Sequence, residues 1–244
     1  MEIKKLITED GLRIDGRRFD EIRPIKFRIG VLKNADGSAY VEWGKTKILV
    51  GVYGPREGHP KHLTLPDRCI VQARYHMAPF SVKERKSPAP SRREIELSKV
   101  VREALEPAIF VEMFPRTTIE IFAEVLQADG STRCAAISAA SLALADAGIP
   151  MRDLVASIAV AKVENQIVLD VKDEEDKYGS ADMPMAMMPS KNLITLIQMD
   201  GLLTSEEFKK AFELAKKGCM EVYKRQRETL ESYFKEIKVG FDNV

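Results

Sequence analysis

Cysteine is scarce in this sequence: three residues in 244, at positions 69, 134 and 219. They form no CxxC pair and no zinc-ligand spacing, which argues against a disulfide scaffold or a zinc finger and for a reduced, cytoplasmic setting. No apolar run approaches the ~20 residues of a membrane span. The first ten residues carry too many charges for a signal peptide. Net charge is nearly absent, since 38 Lys and Arg face 37 Asp and Glu, so no global polycation points to nucleic acid. Neither GxxxxGK[ST] nor GxGxxG occurs, which argues against a small-molecule kinase with a Gly-rich phosphate loop. Solenoid repeats, low-complexity tracts and long Pro/Gly/Ser linkers are also missing. What remains, at 45% hydrophobic and 31% charged, is a chain expected to fold as one domain over residues 1–244.

The charges are unevenly placed. Residues 56–102 hold eleven Lys or Arg against five Asp or Glu, a net of +6, together with His59, His62 and His76. Residues 164–182 hold seven acids against two lysines, a net of −5. Basic and acidic stretches in one domain suit an anionic ligand beside a metal or proton donor, and equally suit two solvated faces. The histidines lack the helical spacing of a metal cluster.

Alternation of apolar and polar residues predicts strands over 25–33, 38–43, 47–53 and 68–77. Ser91 and Glu94 have capping-box spacing at the head of a helix that runs to Pro107. A strand over 117–126 leads through Asp129-Gly-Ser-Thr-Arg133 into an Ala- and Ser-rich helix over 133–147. Further strands are expected over 154–163, 166–171, 182–188 and 193–199, then a long helix over 205–237 behind Thr204 and Glu207. Strands come in groups, each followed by a helix, so the fold class is α+β. The single Trp43 reads as core.

Three constellations could carry chemistry. Gly130, Ser131, Thr132 and Arg133 sit at a helix N-terminus, where unpaired N–H groups attract anions; a plain N-cap with a turn glycine would use the same residues. Arg92 and Arg93 lie in the first turn of the helix behind Ser91, where cations oppose the macrodipole. An external anion would explain them, as would neutralisation by Glu94 and Glu96. Asp176 and Asp182 flank Gly179, as if one closed a strand and the other opened the next. Such a pair needs a shared proton or a hard cation such as Mg²⁺. An acidic hairpin tip is the simpler alternative, but Met183–Met188 is an apolar strand that would hold Asp182 near the core.

The ordered set Leu12-Arg-Ile-Asp-Gly-Arg-Arg18, Arg23-Pro24, Gly54-Pro-Arg-Glu57, Tyr75-His-Met-Ala-Pro-Phe-Ser81, Arg92-Arg-Glu-Ile-Glu-Leu-Ser98, Asp129-Gly-Ser-Thr-Arg133 and Asp182-Met-Pro-Met-Ala186 resembles the RNase PH family of phosphorolytic exoribonucleases. The later motifs look like the version in the catalytic ring chain of the archaeal exosome, and the likeness runs from about residue 10 to 235. It implies a ribosomal-protein-S5-like α+β fold and a ring of six shared with a related, inactive chain, with S1 or KH cap subunits. It also implies phosphate-dependent, Mg²⁺-assisted release of nucleoside 5′-diphosphates from single-stranded RNA, reversible to tailing. By position, Gly130 to Arg133 resemble the phosphate site and Arg92 and Arg93 the contacts to RNA phosphates. Asp176 and Asp182 resemble the catalytic, metal-binding carboxylate pair. Lys61, His62 and Arg68 correspond to a pore loop that grips RNA. A non-catalytic, RNA-binding ring subunit is the competing expectation.

Overall fold

The computed structural model describes residues 6–8 and 11–242, with side chains to residue 236. The charged positions 1–5, 9 and 10, part of the stretch weighed above as a signal peptide, lie outside the described residues. Period-two patterning builds a first sheet from β1 (Ile25–Ile29), β2 (Gly37–Trp43), β3 (Thr46–Glu57), β4 (Ile70–Met77) and β5 (Thr117–Gln127). Its order is β1-β2-β3-β5-β4, antiparallel throughout except for β4, which runs parallel to β5. Ile119, Ile121, Ala123 and Val125 all face inward and are buried, as their alternation requires. The first strand stops at Ile29 rather than at Lys33, because Gly30 turns the chain at positive φ. Trp43 is fully buried.

The second sheet is made of β6 (Ala156–Val163), β7 (Gln166–Leu169), β8 (Ala181–Met188), β9 (Leu193–Ile197) and a two-residue β10 (Asp200–Gly201). Its order is β10-β8-β6-β7, and β9 pairs with the later half of β8, opposite β6. Helix α1 (Arg92–Leu105) packs on β4, and the long α4 (Ser205–Asp242) covers β6 and β1. The Ser91–Glu94 capping box forms as the spacing predicted, with the Ser91 hydroxyl accepting from the Glu94 amide at 3.3 Å.

Helix α2 (Thr132–Asp146) runs through the centre, with Cys134 to Leu144 buried on every side. A helix apolar all round needs cover on all faces, and β2, β3 and β6 provide it. Its small side chains permit close approach. Ser138 and Ser141 accept the amides of Ser157 and Val155 at 3.1 and 2.8 Å, fixing α2 to the second sheet. Gln226 of α4 reaches the Ser138 and Val155 carbonyls. No helix among the described residues is long and apolar enough to cross a membrane.

The second packing face depends on Gly37. A Cβ there would lie 2.3 Å from both the Ala143 carbonyl oxygen and the Ala147 amide nitrogen, backbone atoms that cannot swing aside. Gly37→Ala is expected to lower unfolding free energy by about 1–3 kcal/mol, read as a lower denaturant midpoint at unchanged m-value.

Candidate active site

The strand β5 ends at Gln127, and the chain reaches α2 through Asp129, Gly130 and Ser131. Gly130 has φ +76°, and a Cβ on it would stand 2.5–2.6 Å from Val171 O, Lys172 C and Asp173 N. The loop therefore presses against the segment that follows β7, and only glycine fits there. Ser131 precedes α2 in the left-handed region, and its hydroxyl donates to the Val171 carbonyl at 2.8 Å instead of capping the helix. The first turn of α2 therefore has no side-chain cap, which removes the plain N-cap explanation and leaves its N–H groups facing a cavity.

That cavity has two adjoining lobes, of about 990 and 590 Å³. The smaller is lined by Gly130, Ser131, Thr132 and Arg133; Arg93, Arg133, Asp176 and Asp182 line both. The basic loop after β4 contributes Lys83 and Lys86. Helix α1 points Arg93 into the cleft, whereas exposed Arg92 lines neither lobe. Neutralisation by Glu94 does not occur. Glu94 turns inward to accept the Met77 and Ser91 amides, and among the described residues neither arginine takes part in an ion pair.

One expectation needs correction. Asp176 does not close a strand: β7 stops at Leu169, and Asp176 lies on the short α3 (Asp173–Tyr178). The cause is long-range, because buried Arg13 holds Glu175 inward while Glu175 accepts the Lys172 amide and starts a helical turn. Asp176 thus approaches Asp182 from a helix, with Gly179 as the link to β8. The pore-loop candidates were not expected in the cleft, and they line neither lobe. Lys61, His62 and Arg68 are exposed outside the cleft; Lys61 pairs with Glu57 at 2.7 Å and Arg68 with Asp67 at 2.8 Å.

Asp182, near the head of β8, is the most perturbed acid of the cleft. Burial, and next the charge of Asp176, push its carboxyl up to about 6, although Arg133 and Arg93 pull it down. Its Oδ1 is buried without a hydrogen-bond partner. An orphaned carboxylate oxygen beside a second carboxylate is a fitting donor set for a hard cation such as Mg²⁺. No cluster of three or more His, Cys, Asp or Glu capable of holding a metal occurs among the described residues, so substrate oxygens and water would complete the shell.

Sequence reasoning missed three residues here. Gln198 accepts from Arg133 Nη1 and lines the larger lobe, while Arg133 Nε is buried with no partner and remains available to a ligand. Asp200 pairs in register with Asp182 across β10 and β8 and adds a third acid to the same wall. Tyr75 donates its hydroxyl to Thr132 Oγ1 at 2.8 Å; burial pushes the phenol up to about 12, so it stays a donor. A two-residue strand leaves no periodic signal. The Tyr75–Thr132 contact joins residues 57 apart, beyond any local pattern.

Comparison with known proteins places this geometry. Residues 21–150 match the model of the 3′ exoribonuclease family, domain 1 (RNase PH), and residues 153–218 match its domain 2. The chain is 67% identical to the exosome complex component Rrp41 of Thermococcus onnurineus over 232 residues, covering 95% of this chain and 93% of that protein. Its counterpart in Pyrococcus furiosus is 66% identical with the same coverage, and that of Methanopyrus kandleri is 63% identical over 95% and 97%. The crystal structure of rice Rrp46 superposes with a TM-score of 0.80 at 24% identity, covering 89% of this chain and all of that one, a likeness of fold. Arg93 and the Gly130 loop come from the first matched segment and Asp176, Asp182, Gln198 and Asp200 from the second, so the cleft forms where the two meet, and the chain belongs to the RNase PH family of 3′ exoribonucleases.

Proposed function

We propose that this chain is the active subunit of a phosphorolytic 3′-to-5′ exoribonuclease. The observation that carries the reading is the convergence, in one cleft, of an uncapped helix N-terminus, two arginines, Arg93 and Arg133, that form no ion pair among the described residues, and a carboxylate pair of raised proton affinity. Inorganic phosphate sits at Gly130, Ser131, Thr132 and Arg133, where helix N–H groups and a guanidinium match its oxygens. Arg93, with Arg92 at its flank, receives the terminal RNA phosphate. One phosphate oxygen attacks the last phosphodiester in line. The bond from phosphorus to the 3′ oxygen of the preceding nucleotide breaks, and a nucleoside 5′-diphosphate leaves.

The departing 3′ oxygen requires a proton, and a carboxyl held near 6 by burial and a neighbouring charge retains one better than an ordinary aspartate. Asp176 and Asp182 would also hold Mg²⁺, which when bound neutralises charge on the phosphoryl oxygens. Phosphate is itself the nucleophile, so no activated Ser or Cys is needed. Reversal of the same steps lengthens RNA. The exposed Lys61, His62 and Arg68 grip the incoming single strand through its backbone, without base preference and with salt sensitivity.

Exposed Leu193, Ile194, Ile197, Met199 and Leu202 run along the outer edge of the second sheet. A patch of this kind supports burial against another chain, in keeping with a six-membered ring alternating with an inactive relative and capped by S1- or KH-type subunits. We read the two family segments as one working unit, because the cleft draws on both.

The test is product identity. The chain, assembled with its ring partner, is given Mg²⁺ and single-stranded RNA with or without inorganic phosphate. Nucleoside diphosphate is expected only with phosphate, and Asp182→Asn should cut its release by about 100-fold or more. Monophosphate would mean a hydrolase, and no difference between parent and variant would mean a scaffold.

The same substitution should also reveal what the site costs. In the fold Asp182 keeps its proton up to about 6, whereas in the unfolded chain it ionises near 3.8. Folding therefore loses stability as pH rises between these values, by up to about 3 kcal/mol above pH 6. Without divalent cation, Asp182→Asn is expected to melt higher than the parent at pH 8, with the difference vanishing toward pH 4 in a calorimetric pH series.

A further inference from the structure

The arginines of the N-terminal signature line neither lobe of the cleft, yet they are among its best-connected neighbours. Arg13 is 1% exposed and Arg23 is 5% exposed. Burying a guanidinium is costly unless every donor is engaged, and even then an apolar replacement is often as stable. Stability alone does not account for two of them side by side. Their partners do.

Arg13 grips Glu175 with a two-pronged contact, its Nε at 2.7 Å from Oε1 and its Nη2 on Oε2. Its remaining donors reach the carbonyls of Leu169 and Asp170 at 2.6 and 2.8 Å. Glu175 directly precedes Asp176 on α3, a helix of six residues that is too short to hold itself. Arg23 forks instead onto the buried Asp170 carboxylate, at 2.9 and 2.7 Å. Its other nitrogen donates to the carbonyl of Asp129, the residue before Gly130. One arm ends on the helix that carries Asp176, and the other ends on the loop that opens α2.

We propose that Arg13 and Arg23 are positioning residues with separate duties: Arg13 sets the carboxylate wall of the cleft through Glu175, and Arg23 sets the anion loop through Asp129 and Asp170. This rests on the reading of the cleft given above. Asp170 is the shared anchor, since Arg13 takes its carbonyl and Arg23 its carboxylate. Lysine at either position would keep the charge and lose the fork, because an ammonium cannot make two parallel contacts in one plane.

The test crosses two variants with two probes on the full chain. Mn²⁺, a paramagnetic stand-in for Mg²⁺, is titrated by electron paramagnetic resonance, and inorganic phosphate by calorimetry. Arg13→Lys is expected to weaken Mn²⁺ binding about tenfold, as loss of a supporting partner behind a ligand does, and to leave phosphate binding within twofold. Arg23→Lys is expected to do the reverse, with about a tenfold loss for phosphate from misplaced donors. If Arg13→Lys melts below the assay temperature, Glu175→Gln replaces it. That variant keeps an oxygen for the Lys172 amide but weakens the fork, and the same Mn²⁺ shift is expected. Equal loss of both probes in both variants, or lower melting temperatures with unchanged binding, would overturn the assignment. Failure of the parent to release nucleoside diphosphate would sink the functional reading alone, because neither titration depends on turnover.

Discussion

The close approach at Gly130 is the contact on which the cleft depends. Backbone of the loop before α2 lies against backbone of residues 171–173, with no room for a single methyl group between them. This contact brings a helix N-terminus from the first matched segment beside carboxylates from the second. N–H groups favour anions and carboxylates favour cations, so the two walls of the cleft suit ligands of opposite charge. Held beside each other, they match the phosphate and the cation that the proposed reaction would bring together. Packing on all sides anchors α2 along its length, which holds its N-terminal end in place beside the cleft.

Much of the fold was legible because its signals are local. Alternation at Ile119, Ile121, Ala123 and Val125 marked β5, and Ser91 with Glu94 marked the head of α1. The Gly130–Arg133 stretch and the aspartate pair were visible as residue types in order, and the structure brings them into one cavity. What stayed hidden depends on distant partners. Helix α3 replaces a strand end because Arg13, 162 residues earlier, draws Glu175 inward. Gln198 reaches the cleft by donating its amide to the Pro184 carbonyl on β8, and Asp200 through β10, two residues long; neither contact leaves a trace in periodicity. The competing explanation of Arg92 and Arg93 fell for a similar reason, as Glu94 is committed to the Met77 amide on β4.

The carboxylates and arginines of the cleft are arranged against their own comfort. Asp182 has an oxygen with no partner, Arg133 has a nitrogen with none, and Arg93 stands without a counter-ion among the described residues. Each would be easier to fold as something else. Such concentrations of unsatisfied groups mark places where a ligand completes the arrangement.

Most of the contacts that shape the cleft join residues far apart in the sequence. Arg13 meets Glu175, Arg23 meets Asp170 and Asp129, and Asp182 pairs with Asp200 in register. During synthesis, then, the loop at Gly130 emerges before the wall that faces it, and both sides exist only once the chain has emerged past Asp200. A nascent chain carries arginines that can touch RNA but no place to cut it. Sequence separation, which slows folding, here also delays the appearance of a cutting site until β10 has emerged.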